Sequence, residues 1–216
     1  MTEHNFEQMR RAMVSNSLRT TGVSDPRVLA AMGAVPRELF VPPERIAIAY
    51  ADNPVPLIAG RELNSPLSLG RMLTEAAPSK HEHALVIGAA TGYAAAVLDR
   101  LVESVVAVEE DPDLLAVAQD RLAGTGVRLV SGALTEGHRE GAPYDLILID
   151  GAVESIPEAL VDQLKDGGRV AAAILDQGIS RISLGRRAGG GFGIAPISDT
   201  ASAVLPGFAK PRVFTF

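Results

Sequence analysis

Cysteine and tryptophan are both missing from this 216-residue chain. The first absence excludes a disulfide framework, a thiol nucleophile and any cysteine-ligated zinc. It also suits a reducing compartment, so a cytoplasmic location is expected. With no Trp, 6 Phe and 3 Tyr, there is little from which to build the aromatic platforms that stack single-stranded nucleic acids. Positive charge is short as well. Twenty Lys and Arg against 26 Asp and Glu leave a net charge of −6, the reverse of a nucleic-acid binder's balance. No apolar run approaches the roughly 18 residues of a membrane span. The opening stretch, Met1 to Arg11, has mixed charges and none of the apolar centre of a secretory signal. Neither a nucleic-acid nor a membrane partner is therefore expected.

What is present is enough apolar sequence for a sizeable core, 47% of residues, without staples. Two regions differ in character. Residues 1–80 read as a helical and looped extension that packs on and covers the site. Apolar spacing over Phe6 to Leu18 predicts a helix, Ser24-Asp25-Pro26 predicts another helix start, and Ser65-Pro66 a third. Between them Pro36, Pro42, Pro43, Pro54 and Pro56 break the chain into turns. Residues 81–216 alternate strands with helices and read as one compact unit. Strands are expected at Ala84–Gly88, Ser104–Val108, Val127–Val130, Asp145–Ile149 and Arg169–Leu175. Helices are expected at Gly92–Leu101, Pro112–Leu122 and Ile156–Leu164, the last stopped by Gly167-Gly168. Arg181–Leu184 and Arg212–Phe216 read as edge strands, and the AGGGFG run at 188–193 as a hairpin or loop. This order predicts an α/β fold, a doubly wound, Rossmann-like sheet with helices on both faces.

In such sheets a ligand sits at the carboxyl ends of the strands, where strand order reverses. The first of these strands ends in Gly88-Ala89-Ala90-Thr91-Gly92, small residues that let a ligand approach the backbone before a helix N-terminus. The second ends in Glu109, placed to accept from the two hydroxyls of a ribose. Small turn, helix, strand and acid together read as a site for an adenosine. A dinucleotide fingerprint needs a middle glycine where Ala90 stands, for close approach of a pyrophosphate. A nucleoside without phosphate needs it less, and S-adenosylmethionine is one.

Nearly the whole chain resembles the protein-L-isoaspartate O-methyltransferase family, in a divergent bacterial branch. The residues that carry the resemblance run from Asp25-Pro26-Arg27-Val28-Leu29 through Val35-Pro36-Arg37, Phe40-Val41-Pro42 and Ala49-Tyr50. They continue with Thr91-Gly92-Tyr93, Ala142-Pro143-Tyr144-Asp145, Ile156-Pro157 and Gln163-Leu164-Lys165. The resemblance implies methyl transfer from S-adenosylmethionine to the α-carboxyl of isoaspartyl residues in peptides and proteins. It implies cofactor contacts from Gly88, Ala89, Thr91, Gly92, Glu109, Ala133 and Asp150, and an acceptor site at Asn64 and Ser65. Four positions depart from the family pattern: Val86 before the turn, Ala90 within it, Ala133 after the third strand, and Asn64 where the family has its active-site serine. Two other readings stay open: a methyltransferase with another carboxylate or hydroxyl acceptor, and a non-catalytic binding protein on the same scaffold.

Other candidates have plainer readings. Asp150 and Asp176 end neighbouring strands and could face a divalent cation, but strand-end capping accounts for both. His81 and His83 lie in a charged linker. Arg186 and Arg187 read as charges that protect a sheet edge. No metal site is expected.

Overall fold

The structure, a computed structural model, describes residues 5–58 and 60–210. The extension begins with α1 (Phe6–Ala12), which continues into a wider helical turn over Met13–Leu18 with Met13 and Leu18 buried. Asp25 caps α2 (Pro26–Ala34) by accepting from the Arg27 N–H at 2.8 Å, and Pro26 sits where no donor is needed. Val28, Leu29, Ala31 and Met32 are its buried face. The prolines then hold the chain in turns, followed by a two-stranded antiparallel ribbon, β1 (Val55–Pro56) and β2 (Glu62–Leu63). Ser65 caps α3 (Pro66–Ala76) by accepting from the Ser68 N–H at 3.1 Å.

From residue 83 the alternation is regular: β3 (His83–Ile87), α4 (Tyr93–Leu98), β4 (Ser104–Glu109), α5 (Pro112–Arg121), β5 (Arg128–Ser131), β6 (Tyr144–Val153), α6 (Glu158–Val161), β7 (Leu164–Asp176), β8 (Ile179–Ala188) and β9 (Gly191–Asp199). The seven long strands form one sheet in the order β5-β4-β3-β6-β7-β8-β9. The first five are parallel, and β8 and β9 turn antiparallel. Chain order reverses between β3 and β6, so this is the crevice where a ligand is expected.

Strand alternation divides the core. Ala84, Val86, Leu146 and Leu148 face one side, where α2, α3, α4 and the buried edge of α5 pack. Leu85, Ile87, Ile147 and Ile149 face the other, covered by Leu160 of α6 and by Leu205 and Phe208 of the C-terminal segment. Each face is apolar because every central strand is buried on both sides. Helices lie on both faces, but the second layer is thin.

Three expectations are corrected. The helix read over Ile156–Leu164 is a single turn, Glu158–Val161, because Leu164 already belongs to β7 and pairs with Tyr144. Gly167-Gly168 do not stop a helix. They form a bulge inside β7, Gly167 at φ +81°, where pairing jumps from Tyr144/Leu164 to Leu146/Arg169. The segment Arg181–Leu184 is not an edge: Gly189 and Gly190, both at positive φ, turn the chain back and β9 becomes the outer strand. The strand expected at Arg212–Phe216 lies outside the described residues.

Candidate cofactor and acceptor site

The turn after β3 is left-handed at three alternate positions: Gly88 at φ +78°, Ala90 at +50° and Gly92 at +102°. Glycine adopts this backbone freely, but Ala90 holds it with a side chain and is strained. Gly92 is also required by space, since a Cβ there would stand 2.9 Å from the Leu122 side chain. The turn is fixed from below by Glu109 at the end of β4. Fully buried, its carboxylate accepts from the backbone N–H groups of Ala90 at 2.7 Å, Glu110 at 3.0 Å and Asp111 at 3.1 Å.

The rest of that carboxylate is taken by an arginine. Arg61 donates from Nη1 at 2.8 Å and from Nη2 at 3.1 Å, a two-pronged ion pair with 6% of the arginine exposed. Nothing in the spacing marked Arg61 beforehand; it stands in the loop that leads to Asn64.

A second buried cluster lies beside the first. Asn64 donates from Nδ2 to Asp150 Oδ1 at 3.1 Å, and its Oδ1 accepts from the N–H of Ser65 at 3.0 Å and of Ala203 at 3.3 Å. Asp150 sits where β6 slips register against β7, between Leu148 and Ala152. Burial pushes its carboxyl up to about 6, against the opposing pull of the Asn64 hydrogen bond and the Arg37 and Arg61 guanidinium groups. Arg37 is wholly buried under the cluster. It donates to the carbonyls of Ala49 and Asn64, both at 2.7 Å, and lies 4.7 Å from the centre of the Tyr93 ring. Among the described residues its Nη1 and the Tyr93 hydroxyl find no hydrogen-bond partner.

The chain after β9 crosses over both clusters. Ala203 accepts from the Ala152 N–H at 2.6 Å and Leu205 donates to the Ala152 carbonyl at 2.9 Å, while the Ser202 and Ser68 hydroxyls meet at 2.5 Å. Leu205 is 4% exposed. It lies against two glycines: a Cβ on Gly88 would be 3.0 Å from its methyls, and one on Gly151 would be 2.6 Å from its Cγ.

Of the residues expected at the site, Gly88, Ala89, Glu109, Asn64 and Asp150 come together at the ends of β3, β4 and β6, all buried. Others are employed elsewhere. The Ser65 hydroxyl oxygen is the α3 cap. Thr91 donates to the Phe40 carbonyl at 2.6 Å and so ties the extension to the turn. Ala133 is exposed after β5, where the neighbouring Leu134 N–H reaches Glu110 at 3.4 Å. Asp176 is exposed at the β7–β8 hairpin. Arg187 donates to the carbonyls of Val161, Asp162 and Leu164 and is a structural tie. Among the described residues no three His, Asp or Glu side chains gather as metal ligands.

The donor set suits a nucleoside, with a strand-end acid, a small turn and a helix start. The space does not. Glu109 has five donors on it, and Leu205 lies over Gly88, so an adenosine does not fit the site as folded here.

A reversed-order parallel sheet with a small turn after one strand and a buried acid ending the next is the architecture of the nucleotide- and nucleoside-binding α/β proteins. Comparison with known proteins narrows the class. The family model described as Protein-L-isoaspartate(D-aspartate) O-methyltransferase (PCMT) matches residues 8–197, and the chain belongs to that family. It is 40% identical over 168 residues to the protein-L-isoaspartate O-methyltransferase of Methanoculleus marisnigri, covering 76% of each chain. It is 41% identical over 174 residues to that of Herpetosiphon aurantiacus, covering 79% of this chain and 78% of the relative. Among solved structures, a protein-L-isoaspartate O-methyltransferase superposes with a TM-score of 0.79 at 25% identity, over 92% of this chain and 66% of its own. A Plasmodium falciparum structure in complex with S-adenosyl-L-homocysteine has the same fold, with a TM-score of 0.79 over 94% of this chain and 99% of its own, at 18% identity. The family match stops at residue 197, just before the segment that crosses the site.

Proposed function

We propose that this protein methylates the carboxyl group of isoaspartyl residues in damaged peptides and proteins, with S-adenosylmethionine as donor. The observation that carries the reading is the buried Asn64–Asp150 pair beside the Gly88–Gly92 turn, in a chain about 40% identical to named relatives. The donor, when bound, supplies an electrophilic methyl group, so the protein's task is alignment of the acceptor. Asn64 has an amide N–H to offer a carboxylate oxygen, the role a serine hydroxyl would fill. Arg37 holds the Asn64 backbone and fixes where that amide points. Asp150 keeps Asn64 oriented with its amide group inward. Gly88, Ala89, Gly92 and Glu109 would form the cofactor side once Arg61 and Leu205 leave them, while Thr91 and Ser65 act as ties that hold the turn and α3. Residues 1–80 serve as the cover and 81–216 as the core. No helix among the described residues is long and apolar enough to cross a membrane, and the missing cysteines support a cytoplasmic setting.

The test is transfer of labelled methyl from S-adenosylmethionine to an isoaspartyl peptide, with the aspartyl peptide as control. Base-labile label on the first alone is expected. Cofactor binding without turnover on either would sink the acceptor assignment. One observation favours a second reading, a catalytically inactive family member that serves as a binding or interaction protein: Arg61 stands on the carboxylate that a ribose would need.

A further inference from the structure

We infer that an apolar cavity beside the turn seats a bulky apolar side chain of the acceptor polypeptide, and that Arg121 at its mouth pairs with an acidic residue next to that side chain. The identity of the occupant as the acceptor rests on the function proposed above; the cavity and its charge do not.

The cavity holds about 200 Å³ between the extension, the turn and α5. Phe40 and Leu114, both buried, form its floor, and Thr91 ties that floor to the turn through the Phe40 carbonyl. Its rim is Leu39, Ile58 and Val117, which are 49%, 38% and 36% exposed. These are three of the eight large apolar residues left exposed among the described residues. Exposed apolar residues scattered singly are ordinary, but a group of them around one cavity marks a place where something apolar docks. Neither Glu109 nor Asp150 lines the cavity, so it is separate from the filled crevice between β3 and β6.

Size and charge select the occupant. Drug- and cofactor-sized ligands fill pockets of about 300–1,000 Å³, whereas an apolar cavity of about 150 Å³ takes a single benzene ring. The space here therefore suits one side chain of leucine to phenylalanine size. Leu114, Val117 and Arg121 follow one another at helical spacing and share a face of α5, with the charge at its end. Among the described residues Arg121 is the one charged side chain on the cavity wall, and no hydrogen bond or ion pair engages it. A free guanidinium beside an apolar slot complements an apolar side chain with a carboxylate next to it.

Position selects a polypeptide. Leu57 donates to the Arg61 carbonyl at 2.8 Å and Arg61 donates to the Ile58 carbonyl at 2.9 Å, which closes the turn between β1 and β2. The strand β2 leads directly into Asn64, and Val55 of β1 pairs with Leu63. At about 3.3 Å per residue, the wall at Leu57 and Ile58 stands roughly 10 Å from Asn64. An extended peptide covers that distance in about three residues. A polypeptide whose isoaspartyl residue lies at Asn64 thus carries a side chain about three residues away over the cavity.

The test is a titration of the cofactor-free protein with fluorescein-labelled peptides, read by anisotropy. Each peptide carries phenylalanine followed by aspartate, three residues before or after an isoaspartyl residue. The better of the two should bind at least about tenfold tighter than the same peptide with alanine for phenylalanine, the worth of one buried large apolar side chain. Lysine in place of the neighbouring aspartate should weaken binding about threefold or more. Val117→Glu sets a charge on the rim and should abolish the preference for phenylalanine. Arg121→Glu should reverse the second preference, so that the lysine peptide binds tighter than the aspartate peptide. Both residues are exposed, and a reversal of preference cannot come from a damaged fold. Equal binding of the phenylalanine and alanine peptides by the wild type overturns the cavity as a docking site. Isoaspartyl methylation that ignores the phenylalanine does so too, and leaves the proposed function standing. An aspartate preference unchanged in Arg121→Glu overturns the role of Arg121. Phenylalanine-dependent binding that is the same with aspartyl as with isoaspartyl peptides overturns the acceptor as the occupant.

Discussion

Asn64 donates its side-chain amide to Asp150 across 86 residues of sequence, and with its oxygen it holds Ala203 of the crossing segment. One side chain thus joins the extension, the sheet and the C-terminal cover. Asn64→Ala removes both contacts. Turnover on an isoaspartyl peptide should fall about 10- to 100-fold, the loss from one buried hydrogen bond to the acceptor. Asn64→Ser should recover most of it. A steady-state assay of the three proteins checks this, and unchanged turnover in Asn64→Ala would remove Asn64 from the acceptor site.

Asp150 gives the pair a pH dependence. Its carboxyl rises from an ordinary 3.8 to about 6 in the folded protein, through burial. The folded state therefore keeps a proton that the unfolded chain releases first. Below about pH 4 both states are protonated and nothing is lost. Between about pH 4 and 6 stability falls as pH rises, by about 3 kcal/mol in all. Asp150→Asn lacks this loss, so its stability relative to wild type should improve across that window. Urea unfolding of both proteins from pH 4 to 7 measures it. Parallel profiles would show that Asp150 is not the titrating group.

Much of this site was legible in the sequence, and the reason is local. Glu109 and Gly92 follow from strand and helix boundaries, which short-range patterning sets. Arg61 and Leu205 were not legible as site residues, because what they touch lies 48 residues away in one case and across the β3–β6 crevice in the other. The helix read over Ile156–Leu164 failed for a similar reason. Its apolar residues pack, but Leu164 is claimed by Tyr144 in the sheet, and tertiary pairing overrides helical spacing. Ser65 illustrates the converse: the cap was written in Ser65-Pro66, and that use leaves its oxygen committed to α3.

Glu109→Ala should abolish S-adenosylhomocysteine binding. It also leaves Arg61 buried without a partner, so unfolding free energy should drop by about 3–5 kcal/mol. Glu109→Ala combined with Arg61→Leu removes both charges and should regain much of the stability but none of the binding. Urea midpoints and calorimetry separate the two effects. Binding that survives in either variant would show that the ribose site lies elsewhere.

Ala90 offers a substitution expected to help. Its backbone is left-handed at φ +50°, which costs a residue with a Cβ about 1–2 kcal/mol. Glycine removes that strain and gives back about 0.5–1 kcal/mol through the greater freedom of the unfolded chain. Ala90→Gly should therefore be stabilising by up to about 1 kcal/mol, read from the thermal midpoint. A destabilised variant would mean that the methyl packing around Ala90 outweighs its backbone strain.

Gly151 tests whether the crossing segment needs its present seat. A Cβ added there would lie 2.6 Å from Leu205 Cγ and 2.8 Å from the Ala203 carbonyl oxygen. The leucine could turn away, but the carbonyl is main chain, held by the Ala152 N–H at 2.6 Å. Gly151→Ala should therefore lift residues 199–210 and cost about 1–3 kcal/mol, as overpacking does. Gly193→Ala, where an added Cβ meets nothing within 4 Å among the described residues, is the matched control and should be near neutral. Limited proteolysis should cut Gly151→Ala within the crossing segment and spare the control. Equal resistance would mean that the chain absorbs the clash in β6, and that the segment is held by Phe208 and the Lys210–Glu154 contact more than by its seat on the glycine.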